Sequence, residues 1–208
     1  MKIAVLGGAG KMGGAVARHL SKNHQVIIGS RDPARAREQA KLIRGAEGLD
    51  YEGAAKACDV AVVSIPYRAL AVVSPLADAL AGKLVVSMVN PTKLEAGIRR
   101  YGLERGSAAE ELAALLPRSR IATAFNNVPV AMMEREEVVP MDVLVAASSR
   151  EAYDETADLL RSVGNVRPLY AGPLSEAQVV ERITPLVLNL AKMNGTGSLT
   201  TKFISQDG

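Results

Sequence analysis

The sequence predicts an α/β fold, a doubly wound parallel sheet with a small helical domain at its C-terminal end, and three observations predict it. Ile3-Ala-Val-Leu6 is a short apolar run that leads into Gly8-x-Gly10-x-x-Gly13 and then into Val16, Ala17 and Leu20 at helical spacing. Apolar runs with little polar alternation then recur between amphipathic stretches, the pattern of strands covered on both faces. After Gly172-Pro173 this alternation stops and a single apolar helical stretch remains.

In chain order, strands are expected at 2–6, 25–28, 60–64, 84–87, 120–124 and 142–147, with a last strand at 166–169. Thr92-x-x-Glu95, Ser107-x-x-Glu110, Ser148-x-x-Glu151 and Ser175-x-x-Gln178 have the form of helix starts. The final helix carries Val179, Ile183, Leu186, Val187 and Leu190, and Gly195 suits a left-handed cap after it. A helix so apolar has to be hidden, so residues 175–194 are expected to build a homodimer. Residues 1–170 form the nucleotide-binding domain on this reading, and residues 171–208 a helical segment serving dimerisation and a second-substrate cleft.

The glycine pattern sits where a dinucleotide pyrophosphate is held. Gly8 is expected to permit the tight turn, Gly10 to let backbone approach the phosphates, and Gly13 to let the helix pack on the strand, with Ala9, Lys11 and Met12 completing the loop. About twenty residues on, an NAD site would place a carboxylate on the ribose hydroxyls. This chain presents Ser30 and Arg31, with Arg35 one turn further, and guanidinium groups suit a 2′-phosphate. NADP(H) is therefore the expected cofactor, and Asp32 does not contradict it, since Asp32 before Pro33 reads as an N-cap.

Composition narrows the class. With 48% hydrophobic residues a sizeable core can form, whereas no apolar run reaches membrane-spanning length. Met1-Lys-Ile runs into a strand instead of a secretory signal, so a cytoplasmic protein is expected. The one cysteine, Cys58, allows no internal disulfide and reads as a packed small residue. A net charge of +3, 3% aromatic residues and no Trp argue against a nucleic-acid partner.

Ligands of open α/β sheets lie beyond the carboxyl ends of the strands. Three post-strand segments there are informative: Ser64-Ile65-Pro66-Tyr67, Met88-Val89-Asn90-Pro91 and Phe125-Asn126-Asn127-Val128-Pro129. They are small, apolar or amide-bearing and uncharged, which suits a flat neutral ring and a planar small-molecule redox partner. His19 and His24 fall in the first helix and its following turn, so they read as structural. No triad, metal-ligand cluster or carboxylate pair is apparent at the proposed face, and no catalytic side chain is assigned. Hydride transfer between two cofactors fits, because the cofactors carry the chemistry.

These residues resemble the NADPH:coenzyme F420 oxidoreductases over almost the whole length. Ala4-Val-Leu-Gly-Gly-Ala-Gly10 with Gly29-Ser30-Arg31 and Arg35 is similar to that family's NADP site, and Arg105-Gly-Ser-Ala-Ala-Glu-Glu111 to a stretch ahead of one of its helices. Arg167-Pro-Leu-Tyr-Ala-Gly-Pro-Leu174, Val180-Glu-x-x-Thr-Pro-Leu186, Asn189 and Asn194-Gly195 extend the similarity. The resemblance implies a Rossmann domain, a C-terminal helical dimerisation portion, and a deazaflavin cleft facing the nicotinamide. Where the family carries a histidine near the deazaflavin, this chain has Asn126. Its Phe-Asn-x-x-Pro form is closer to relatives that reduce a flavin or ferric iron, including the reductase domains of membrane-bound metalloreductases. The expected acceptor is coenzyme F420, with FMN, FAD or ferric iron as the alternative and a non-catalytic NADP(H)-sensing dimer as a third reading.

Overall fold

A computed structural model describes residues 1–204. The last four residues of the expected 171–208 segment lie outside the described residues.

The chain begins β1 (Lys2–Leu6), α1 (Lys11–Leu20), β2 (Gln25–Gly29), α2 (Pro33–Lys41), β3 (Glu47–Leu49), α3 (Tyr51–Ala57) and β4 (Val60–Val63). A 3-10 segment (Tyr67–Leu76) leads to β5 (Leu84–Ser87), a hairpin of β6 (Thr92–Glu95) and β7 (Ile98–Tyr101), α4 (Ala108–Leu115) and β8 (Arg120–Thr123). The remainder is α5 (Val130–Met133), β9 (Met141–Ala147), α6 (Arg150–Arg161), β10 (Val166–Pro173), a 3-10 turn (Leu174–Glu176) and α7 (Ala177–Met193).

Eight strands form one sheet in the order β10-β9-β8-β5-β4-β1-β2-β3. Strand alternation divides the core. Ile3 and Val5 pack with Val16, Leu20, Met133 and Leu160, whereas Ala4 and Leu6 pack with Ala54, Leu70, Val73 and Leu112. Helices on both faces explain why β1, β4 and β5 read as continuous apolar runs. The register is level at the carboxyl edge: Leu6 pairs with Gly29 and Val63, Val63 with Ser87, and Ser87 with Thr123. The segments that follow these residues therefore leave the sheet along one line. The strand order reverses between β1 and β4, which puts the ligand-binding crevice beside Gly7 and Ser64.

Several expectations are corrected. The sheet is mostly parallel, but β9 runs antiparallel to β8, because the chain recrosses the carboxyl edge through residues 124–140 before re-entering. Thr92-x-x-Glu95 starts no helix; it is β6, joined to β7 by Ala96 (φ 46°) and Gly97 (φ 78°) in a two-residue turn of the kind that matches strand twist. Ser149, not Ser148, caps α6, accepting from Ala152 N at 3.1 Å. Ser148 Oγ instead accepts from Ile121 N at 3.0 Å and closes the β8–β9 ladder. Ser175 caps nothing, since the 3-10 turn already brings Glu176 into helical conformation and leaves no extended residue ahead of α7. β10 runs past the expected strand end at residue 169 and, after a bulge, stops at Pro173, so Gly172-Pro173 ends the strand.

Strand β3 escaped notice because it has three residues and a central glycine. A Cβ on Gly48 would stand 2.4 Å from the backbone of Ala36 and Arg37, so glycine is what lets α2 lie on this strand. Ser107 caps α4 and Asp32 caps α2 as expected. At the end of α7, Gly195 (φ 60°) is left-handed, and Thr196 N donates to Ala191 O at 3.0 Å. Among the described residues no helix is long and apolar enough to cross a membrane.

Candidate active site

The turn after β1 places its strain at Gly7, not Gly8. Gly7 has φ 91°, and a Cβ there would stand 2.2 Å from Ser64 O, so the loop leaving β1 passes the end of β4 only as glycine. Gly8 is constrained by packing, since its Cβ would fall 2.8 Å from Val5 O. Gly13 has the role expected of it: a Cβ would reach 2.6 Å from Gly7 O and hold α1 off the strand. Gly10 meets only Gly7 O, at 3.2 Å, and is the exposed N-cap of α1. No side chain among the described residues caps this helix, and its first turn holds no acid. The amides of Lys11, Met12 and Gly13 have no helical partner and face the crevice beside Ala9, an arrangement that fits a pyrophosphate.

The turn after β2 is built by Asp32, whose Oδ1 accepts from Ala34 N at 2.9 Å and Arg35 N at 3.4 Å. Ser30 Oγ accepts from Asp32 N at 3.2 Å. Arg31 then turns toward a cavity of about 340 Å³ lined also by Tyr51, Ile65, Pro66, Arg68 and Val72. The structure thus joins Arg31 to Ile65 and Pro66, while Ser30 and Arg35 stand outside this lining on the same turn. Tyr51 and Arg68 were missed. Tyr51 follows the unrecognised β3, and Arg68 lies just past the post-strand residues considered; burial pushes the Tyr51 phenol up while Arg31 opposes it. This lining of mixed apolar and cationic character fits an adenosine 2′-phosphate.

At the other end of the crevice the post-strand segments interlock. Asn126 is buried, with Oδ1 accepting from Thr123 Oγ1 at 2.8 Å and Nδ2 donating to Val89 O at 3.2 Å and Asn90 Oδ1 at 3.0 Å. Asn126 therefore acts through Val89 and Asn90, which it locks in place. Phe125 before it has φ 63°, an uncommon conformation for a bulky residue, and the surrounding bonds maintain it. Val128 is buried and Pro129 begins α5. Asn127 turns away from the crevice: its Nδ2 donates to Asp142 O at 2.6 Å and Thr201 Oγ1 at 2.7 Å, fastening the C-terminal segment. Arg167 completes that fastening with bonds of 2.7 and 2.8 Å to Asp142, which also accepts from Phe203 N.

Helix α7 supplies two groups that sequence reasoning missed. Thr184 Oγ1 reaches Asn90 Oδ1 at 2.8 Å and also Asn126 O, so α7 touches both amide-bearing loops. One turn earlier, Glu181 is fully buried at the N-terminus of α4, accepting from Ala108 N at 2.9 Å, Ala109 N at 3.0 Å and Tyr101 Oη at 2.8 Å. Burial pushes its carboxyl up to about 7 against these three donors. Helical spacing held the signal, since Ala177, Glu181 and Pro185 share one face that is buried throughout.

A concavity of about 890 Å³ between Arg18, His19, Lys22, Arg44 and Arg135 lies at the carboxyl end of α1, the opposite end of that helix from the glycine loop. His19 is structural, its Nε2 lying 2.9 Å from Met133 O, and His24 meets Ser162 Oγ at 2.9 Å. Burial lowers the pKa of both.

Comparison with known proteins accords with this geometry. Residues 2–91 match the family model described as NADP oxidoreductase, coenzyme F420-dependent. The chain is 37% identical over 215 residues to the F420-dependent NADP reductase of Methanocaldococcus jannaschii, covering 95% of this chain and 96% of that protein. It is 36% identical over 206 residues to the reductase of the same name from Methanothermobacter thermautotrophicus, covering 91% and 89%. A crystal structure of an Arthrobacter protein, 24% identical, superposes with a TM-score of 0.87 over 99% of this chain and all of that one, which shows a shared fold. Identity of 37% sustained along both full lengths shows that the chain belongs to the F420-dependent NADP reductase family.

Proposed function

We propose that the protein transfers hydride between NADP(H) and coenzyme F420 in the cytoplasm, and that it does so by positioning rather than by side-chain acid–base chemistry. The observation that carries this reading is the level carboxyl edge. It brings the uncapped amides of α1, the Arg31 cavity and the Asn90–Asn126–Thr184 cluster onto one crevice. NADPH supplies the hydride and the deazaflavin receives it; the chain supplies proximity and exclusion of water.

Lys11, Met12 and Gly13 hold the pyrophosphate through backbone N–H groups, and Ser30, Arg31 and Arg35 the 2′-phosphate. Tyr51, Ile65, Pro66 and Arg68 wall the adenosine end. Val89 and Asn90 form the floor at the reacting end, fixed from beneath by Asn126 and from the side by Thr184. Asn127 keeps residues 200–203 against the start of β9.

The second subunit expected from the sequence belongs to this proposal. Val179, Leu186, Leu190 and Met193 are 58%, 55%, 42% and 67% exposed and fall on one stripe of α7, which supports a homodimer closed through this helix.

Rapid mixing of the protein with NADPH and oxidised coenzyme F420 tests the proposal, with FMN, FAD and ferric citrate as control acceptors. Bleaching of the deazaflavin at the expense of NADPH is the expected result. Turnover confined to the control acceptors, or NADPH binding without turnover of any acceptor, would replace it by one of the two other readings.

A further inference from the structure

Tyr101 closes the hairpin and has one hydroxyl proton within reach of two acceptors, Glu181 Oε2 at 2.8 Å and Gly106 O at 3.1 Å. Glu181 in turn offers its carboxyl to three donors, Tyr101 Oη and the amides of Ala108 and Ala109. This set is satisfied in either protonation state. With the carboxylate ionised, Tyr101 donates to Glu181 and all three donors are used. With the carboxyl protonated, Glu181 donates to Tyr101 Oη, and the phenol donates onward to Gly106 O. A buried acid usually leaves an orphaned polar atom in one of its two states; here neither state does.

We propose that Tyr101 and Glu181 form a proton-operated latch between the hairpin, the N-terminus of α4 and helix α7, and that its ionised state sets the position of Thr184 at the acceptor end of the crevice. Three elements converge on one carboxyl, and Thr184 lies a single helical turn beyond it. The hairpin grips α7 again further along, through Asn189 Nδ2 to Arg99 O at 2.7 Å and Arg99 N to Asn189 Oδ1 at 2.8 Å. Glu181 and Asn189 thus fix α7 at two points on either side of Thr184.

The charged and titrating neighbours facing the pair are few. Arg182 lies over the Tyr101 ring with its guanidinium carbon 5.1 Å from the centroid and favours the ionised phenol, whereas Glu110 on α4 opposes ionisation of both the phenol and the carboxyl. Tyr67 is the remaining phenol nearby, and its bond to Glu111 pushes it up to about 12, far above the range in which the latch would work.

This inference rests on the functional reading above only for its effect on catalysis; the latch itself is tested without turnover. The amide proton shifts of Ala108 and Ala109, followed by NMR between pH 5.5 and 8.5, are expected to titrate together in the natural protein and to stay flat in Glu181→Gln. In Tyr101→Phe, which keeps the acid and loses one donor to its ionised form, the midpoint is expected to move up. Flat amide shifts in the natural protein overturn the latch, as does an unmoved midpoint in Tyr101→Phe. Single-turnover hydride transfer to coenzyme F420 is expected to rise with the same midpoint. A rate independent of pH across the amide transition overturns the link to Thr184. Absence of turnover at every pH falls on the functional reading, because the amide titration decides the latch by itself.

Discussion

The Thr184 hydroxyl on α7 lies 2.8 Å from Asn90 Oδ1, and so joins the last long helix to the loop that follows β5, 94 residues earlier. The same hydroxyl reaches Asn126 O, and Asn126 Nδ2 donates to Asn90 Oδ1 at 3.0 Å. Three segments remote in sequence thus share one hydrogen-bonded cluster beyond the carboxyl edge of the sheet, where the proposed hydride transfer would take place.

Thr184→Val keeps the shape of this contact and removes its only proton. Hydride transfer should slow by roughly threefold to tenfold, the worth of one neutral hydrogen bond, with NADPH affinity unchanged. Pre-steady-state kinetics beside calorimetry separate the two quantities, and a loss confined to NADPH affinity would contradict the placement.

Arg31→Ala removes the guanidinium that faces the cavity of Tyr51, Ile65, Pro66 and Arg68. Loss of a charge-assisted bond to a phosphate costs about 1.5–3 kcal/mol, so NADPH affinity should fall about tenfold to a hundredfold. NADH affinity should hardly move. Equal losses for both nucleotides would show that Arg31 does not read the 2′-phosphate.

What the sequence made legible followed from short-range rules. The apolar strands of the central sheet, the α1 start at Gly10 and the Asp32 cap each depend on neighbours within a few residues, and their signals are local. The convergence of the three post-strand segments was also legible, because strands ending in one parallel sheet must release them on one edge. Thr92-x-x-Glu95 misled, since its spacing satisfied a helix rule while Ala96-Gly97 formed the turn that the hairpin needs. Glu181, Thr184, Tyr51 and Arg68 escaped because each acts through contacts made only when distant elements pack. The role of Asn127 shifted for the same reason: its partners, Asp142 and Thr201, come from β9 and the C-terminal segment.

The Arg167–Asp142 pair should hold the C-terminal segment over a defined range of pH. Arg167 foremost, then the Phe203 amide, holds the Asp142 carboxyl below its ordinary value. A carboxyl lowered on folding contributes stability that is complete above its unfolded value and is lost as pH falls through the lower folded one. Limited trypsinolysis after Lys202, taken relative to cleavage of a short unstructured peptide at each pH, should be unchanged from pH 8 down to pH 5 in the natural protein and faster throughout in Arg167→Ala. Equal rates for the two proteins would mean that the pair does not fasten the segment.

The exposed stripe on α7 predicts a particle of twice 21.9 kDa by light scattering. Leu186→Glu combined with Leu190→Glu, which places charge on two residues 55% and 42% exposed, should give the monomer with its fold retained by circular dichroism. A natural protein that runs as a monomer at micromolar concentration would contradict the proposed interface.

The most direct test of the central claim is a stopped-flow experiment in which the protein, NADPH and oxidised coenzyme F420 are mixed and both chromophores are followed. The account predicts that the deazaflavin and NADPH bands fall together, mole for mole, and that Arg31→Ala slows this at limiting NADPH. An unchanged deazaflavin band, in a sample shown by calorimetry to bind NADPH, would contradict it.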